Sequence, residues 1–105
     1  MPFFEGKINM KFGLADKQIE QILAILKKAN VTEAVIFGSR AKGNWRENSD
    51  IDIAVWGQDI NLGKLSLDLE ELPMPYKFDV INYDKISNSA FREHIDRVGI
   101  NFYEE

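Results

Sequence analysis

The residues of this chain that could do chemistry are the run Gly38-Ser39-Arg40-Ala41-Lys42-Gly43, the pair Asp50 and Asp52 in Asp50-Ile51-Asp52, and a lone Asp79 between apolar residues. A small turn bounded by glycines offers backbone N–H groups and a serine hydroxyl to phosphate oxygens. Carboxylates on neighbouring strands hold divalent metal against those same oxygens. A phosphate cradle and a metal site would then lie within one short stretch.

Spacing explains why the chemistry wants these residues. Asp50-Ile-Asp-Ile-Ala-Val-Trp56 has a period of two, and successive strand side chains point to opposite faces. Asp50 and Asp52 therefore share one face, and Ile51, Ile53 and Val55 share the other. Side by side and alone, two carboxylates repel, and one tends to take up a proton. A bound cation inverts that preference and keeps both ionised. Tyr76-Lys-Phe-Asp-Val-Ile81 reads as a second strand, with Asp79 on the face opposite Phe78 and Val80. Laid beside the first strand, it makes Asp79 the third acid of the cluster. Three acids around two metals roughly 3.5–4 Å apart stabilise both the attacking and the leaving oxygen of a phosphoryl or nucleotidyl transfer. One acid can also draw the proton from the incoming hydroxyl.

Gly38-Ser39-x-Ala41-x-Gly43, then Ser49-Asp50-x-Asp52 with apolar residues after it, then a distal acid at Asp79, resembles the signature of the DNA polymerase β-type nucleotidyltransferase superfamily. The short length is similar to its minimal nucleotidyltransferase branch, many members of which are the antitoxin half of a pair with a helical HEPN-domain protein. The resemblance runs from about Leu14 to Tyr103. It implies that Asp50 and Asp52 are ligands shared by two Mg²⁺ ions, and that Asp79 is the third ligand and the activator of the acceptor hydroxyl. It implies that Gly38 and Ser39 hold the β- and γ-phosphates of a nucleoside triphosphate, with ATP as donor. Arg40 and Lys42, with Arg46, form a positive patch in an acidic protein that would steady the triphosphate. Gly43 and Ser49 are read as shaping the loop.

Each of these residues also has an ordinary reading. Gly38-Ser39 serves many plain turns, and Ser49-Asp50 is common turn chemistry. Alternating acids are commonly a solvated strand face, and an acid in an edge strand discourages aggregation. Only the co-occurrence of all the parts favours the chemistry. His94, the one histidine, lies on an amphipathic stretch with no zinc-type cluster to recruit it.

Around these residues, helical and strand patterns alternate. Asp16 to Ala29 places Ile19, Ile22, Leu23, Ile25 and Leu26 at helical spacing, with Lys27 and Lys28 in the last turn where cations complement the helix dipole. Thr32 to Phe37 reads as a buried strand that delivers the chain to Gly38-Ser39. Arg40 to Trp45 suggests a short helix, and Arg46 to Ser49 a polar turn. Leu62 to Leu72 suggests a helix of imperfect spacing ended by Pro73 and Pro75. Ala90 to Val98 has Phe91, Ile95 and Val98 at helical spacing, with Gly99 as a C-terminal stop. Ile100 to Tyr103 suggests a last short strand.

The expected fold is an α/β polymerase β-like nucleotidyltransferase fold: a mixed sheet with helices covering one face and the acids on the other. With so short a link between Phe37 and Asp50, the first two strands should run antiparallel. The expected organisation is an N-terminal extension over residues 1–13, with Met10 an alternative start, and a minimal nucleotidyltransferase domain over 14–105.

The chain has 105 residues, 45% of them hydrophobic, which suits one domain with a single core, and a second, substrate-binding domain is not expected within it. A net charge of −4 argues against a broad nucleic-acid footprint, and so against a template-directed polymerase. With no cysteine there is no disulfide and no thiol nucleophile, which is compatible with a reducing compartment. No apolar run reaches the roughly 18 residues of a membrane span, and the start of the chain lacks a signal-peptide stretch. A cytoplasmic location is expected.

So little protein outside the nucleotide site implies that another chain positions the acceptor, and the acid-bearing sheet face is where it would sit. The resemblance implies a HEPN-type helical partner, such as a toxin ribonuclease whose tyrosine hydroxyl accepts AMP and is thereby silenced. Two rival readings stand beside it. One is a non-catalytic nucleotide-binding module that neutralises its partner by contact; the other is a subunit of an aminoglycoside-type, small-molecule adenylyltransferase.

Overall fold

The computed structural model describes residues 12–46 and 48–104, so the greater part of the expected N-terminal extension, with Met10, lies outside the described residues. The order of elements is α1 (Asp16–Lys28), β1 (Glu33–Phe37), α2 (Ser39–Lys42), β2 (Ile51–Trp56), α3 (Leu62–Glu70), β3 (Phe78–Asn82), a single 3₁₀ turn (Tyr83–Lys85), α4 (Ser89–Val98) and β4 (Ile100–Glu104). The strands form one mixed sheet in the order β3-β2-β1-β4. β1 is antiparallel to both β2 and β4, whereas β2 and β3 are parallel. The antiparallel turn-back from β1 to β2 follows from the short link between them. The parallel step from β2 to β3 needs a crossover, and α3 supplies it.

One sheet face carries the main core. Ile51, Ile53 and Val55 of β2 pack with Ala34 and Ile36 of β1 and with Phe78 and Val80 of β3, under Ile22 and Leu26 of α1 and Leu65 and Leu69 of α3. The helices dock where their buried residues fall four apart, at 22 and 26 and at 65 and 69, which puts each pair on one stripe. That also explains the imperfect leucine spacing of α3. Leu67 lies off the stripe and is 65% exposed. Asn61 caps α3 through its side-chain oxygen, which accepts from Lys64 N–H at 3.1 Å.

The layout departs from the expected one at α4. Rather than joining α1 and α3, it packs on the acid-bearing face, where Ile95, with Phe91 and Val98, meets Phe37 and Ala54. Its Phe91 ring stands edge-on to Phe37 at 5.9 Å. Since Ala54 follows Asp52 by two residues on the same face, α4 covers that face beyond Asp52 and leaves the acids uncovered at one end. Gly99 also acts differently from a left-handed stop. Its φ is −68° and ψ 141°, an ordinary extended conformation. Glycine is required there for space, because a Cβ would come within 2.7 Å of the Ile95 carbonyl and 3.1 Å of Val35 Cγ2. Among the described residues no helix is long and apolar enough to cross a membrane.

Candidate active site

The site is built where β1 ends. Phe37, the last residue of β1, pairs with Asp52 of β2, and Asp52 in turn pairs with Asp79 of β3. Gly38, one residue past Phe37, thus emerges beside Asp52. Its φ of 82° and ψ of −157° belong to a region that only glycine occupies readily, so the chain turns sharply off the strand and into α2. The approach is close. A Cβ added at Gly38 would overlap Asp52 Oδ2 and lie 3.1 Å from its Cγ. The phosphate-type turn and the central carboxylate are in contact.

α2 is a single turn, shorter than the expected helix to Trp45, because Gly43 adopts the left-handed conformation at φ 86° and ends it. No side chain caps its start. The first N–H groups of a helix have no acceptor within it, so those of Ser39 and Arg40 remain as donors for an outside group. Ser39 is half-buried, and Lys42 and Arg46 are exposed. The loop before β2 is closed reciprocally: Ser49 N–H donates to the Arg46 carbonyl at 3.0 Å, and Arg46 N–H donates to Ser49 Oγ at 2.7 Å. Ser49 therefore does shape the loop.

Of the three acids, Asp52 is half-buried, whereas Asp50 and Asp79 are exposed. β2 begins at Ile51, whose N–H donates to the Lys77 carbonyl at 2.9 Å, so Asp50 stands on the lead-in at the mouth of the site. Asp79 sits between buried Phe78 and Val80, as strand alternation requires. Burial pushes the Asp52 carboxyl up to about 6, and the charges of Asp79 and Asp50 push in the same direction, against the opposing pull of Arg40. Two hard oxygen donors, Asp79 and Asp50, thus act through their charge on a third that resists ionisation. That set fits a divalent cation such as Mg²⁺, although among the described residues no three acidic or histidine side chains close into a single metal cage.

Arg40 is placed unlike its neighbours in the motif. It is 2% exposed, and its guanidinium is taken up by main-chain carbonyls. Nε and Nη2 donate to the Ser49 carbonyl at 3.2 and 2.8 Å, and Nη1 donates to those of Phe12 and Gly13 at 2.9 and 3.4 Å. The guanidinium also stacks on Tyr76, 4.5 Å from the ring centroid. Burial lowers its pKa from the ordinary value, and Tyr76, Asp50 and Asp52 oppose that fall. Arg40 thus lends positive charge to the acids from behind. The exposed cations of the patch are Lys42 and Arg46. Sequence reasoning had no means to separate Arg40 from Lys42; it passed over Phe12 and Gly13 in the expected extension and read Tyr76 only as the start of a strand, which begins instead at Phe78. The one available signal was Gly13, an isolated glycine just before a helical pattern, and it does take the left-handed φ of 73° that glycine adopts without steric cost.

This geometry has counterparts. Residues 20–105 match the family described as Polymerase beta, Nucleotidyltransferase. The chain belongs to that family. A polymerase β-type nucleotidyltransferase accounts for the mixed sheet, for the glycine-serine turn at the end of β1 and for the acids on β2 and β3. Over 70 residues, 63% of this chain and 74% of the other, the sequence is 40% identical to a protein of Methanocaldococcus jannaschii named, provisionally, a protein adenylyltransferase. The fold is similar to a solved toxin-antitoxin structure with AMP-PNP, with a TM-score of 0.70 and 22% identity, covering 83% of this chain and 73% of that one. It is similar also to a chain from the complex of a tri-AMPylated Shewanella oneidensis HEPN toxin with an MNT antitoxin, with a TM-score of 0.64 and 18% identity over 85% of this chain and 71% of that one.

Proposed function

We propose that this nucleotidyltransferase moves AMP from ATP to a hydroxyl group on a helical HEPN-type partner, and acts as the antitoxin of that pair. The observation that carries the reading is the level shared by Phe37, Asp52 and Asp79 across three adjacent strands, which brings Gly38, one residue past Phe37, against the central acid. Its relatives lend support: one is named for protein adenylylation, and another stands in a complex with an AMPylated HEPN toxin.

In this reading Gly38 and Ser39 hold the β- and γ-phosphates with N–H groups and the serine hydroxyl, and Lys42 with Arg46 neutralises charge from the solvent side. Asp50, Asp52 and Asp79 would hold two Mg²⁺ ions, which when bound lower the cost of charge on the attacking and leaving oxygens. Asp79, exposed on β3, faces the acceptor and takes its proton as the hydroxyl oxygen bonds to the α-phosphorus. The bond from that phosphorus to the bridging oxygen breaks in line, and pyrophosphate leaves with its electron pair. An ATP-dependent reaction and a chain without cysteine are consistent with a cytoplasmic setting.

The test is incubation of the purified chain with Mg²⁺ and α-phosphate-labelled ATP in host lysate, beside Asp79→Asn. Label on a protein that depends on Asp79 is the expected result. Label on a small metabolite would move the acceptor to the aminoglycoside-type class. No label, with Mg²⁺-dependent ATP binding intact, would leave a module that works by contact alone.

A further inference from the structure

Among the described residues, Arg40 heads the fully buried side chains by volume, and its four hydrogen bonds there go to main-chain carbonyls and none to a carboxylate. Burying a guanidinium is costly unless its donors are met, and here main-chain carbonyls from separate segments meet them. Those segments matter. Ser49 immediately precedes Asp50, and Arg40 immediately follows Ser39. The two-donor grip on the Ser49 carbonyl therefore ties the phosphate-type turn to the lead-in of the acid-bearing strand through one rigid planar group. On its far side the same group is anchored to Phe12 and Gly13, and Tyr76 closes over it.

Gly13 is fitted to this arrangement. Its φ is +73°, and a Cβ there would come within 2.7 Å of Arg40 Nη1 and 2.5 Å of Trp45 Nε1. Phe12 in turn packs its ring 5.7 Å from Phe102 of β4, so the anchor is itself held by the sheet edge.

We infer that Arg40 is a positioning residue, which sets Asp50 and Asp52 against the Gly38-Ser39 turn from an anchor at Phe12-Gly13 and makes no contact with the nucleotide. The inference rests on the nucleotidyl-transfer reading for its effect on rate, but its structural half does not. Residues 12 and 13 then serve the reaction from the side of the guanidinium remote from the turn. A single ammonium in place of the fork reaches either the Ser49 carbonyl or those of Phe12 and Gly13, not both sides.

The test compares Arg40→Lys, Gly13→Ala and the milder Tyr76→Leu with Lys42→Met. Two readouts are taken: amide exchange at Ile51, and transfer kinetics with ATP. In the first three variants, exchange at Ile51 should speed up about tenfold or more relative to α1. Their kcat should fall by up to about 100-fold, since a small misplacement of reacting groups costs that much, while KM for ATP stays within about threefold. Lys42→Met should do the reverse, raising KM with exchange at Ile51 unchanged. Arg40→Lys that raises KM like Lys42→Met with unaltered exchange would make Arg40 a phosphate ligand and overturn the inference. Gly13→Ala or Tyr76→Leu with native exchange and kcat would overturn it as well, even if Arg40→Lys fails to fold. Exchange is read without catalysis, so an inactive wild-type chain would count against the proposed reaction and leave the strut to be judged separately.

Discussion

Gly38 abuts the carboxylate of Asp52: the turn that leaves β1 has no space for a side chain because the acid of β2 occupies it. Strand pairing places Phe37 opposite Asp52, and the next residue has nowhere to go but past that carboxylate.

Replacing Gly38 with alanine should be damaging on two counts. The new Cβ overlaps Asp52, and the backbone at φ 82° and ψ −157° resists any side chain. Such strain costs on the order of 1–3 kcal/mol. Urea melts should show a loss of that size, and transfer activity should disappear in the fraction that remains folded. Native activity in Gly38→Ala would contradict the contact.

Asp52 should make the metal-free protein less stable as the pH rises. Its carboxyl titrates near 6 in the folded chain against an ordinary 3.8, so between those values the folded state keeps a proton that the unfolded chain has released. Stability from this group is therefore greatest below about pH 4 and declines up to about pH 6. In EDTA, Asp52→Asn should melt higher than wild type at pH 8, with the gap closing toward pH 4. Added Mg²⁺ should raise the wild-type melting temperature at pH 8 and leave that of the variant unmoved. A wild-type chain indifferent to Mg²⁺ would remove Asp52 from the metal site.

Asp79→Asn should separate binding from transfer. The residue is exposed on β3 and pairs with Asp52, but it does not touch Gly38-Ser39 in the register of the sheet. Transfer should be lost while ATP binding, followed by calorimetry, changes little. Parallel loss of both would mean that Asp79 chiefly holds the nucleotide.

Ser39→Ala should weaken ATP binding modestly, by roughly the 0.5–1.5 kcal/mol of an ordinary hydrogen bond, or up to about 3 where the phosphate charge strengthens it. The fold should be unaffected, since the serine side chain does not cap α2. Titration of nucleotide against wild type and variant in Mg²⁺ measures the difference directly, and equal affinities would exclude the hydroxyl from the phosphate site.

What the amino-acid sequence determined by itself was local. Alternation in Ile51-Asp52-Ile53 assigns each side chain to a face, helical spacing marks α1 and α4, and the co-occurrence of Gly38-Ser39 with Asp52 and Asp79 points to the family, because each signal repeats within a few residues. Strand pairing then decided that Phe37, Asp52 and Asp79 stand at one level, with Gly38 against Asp52. Sheet register is a relation between segments that the spacing within any one of them does not contain. The placement of α4 on the acid-bearing face was likewise hidden, since an amphipathic stripe says that a face is buried, not against what. Arg40 is the clearest case. In sequence it is a cation beside a phosphate turn, the equal of Lys42. In the fold its donors meet carbonyls at 12, 13 and 49, and only the tertiary structure brings those together.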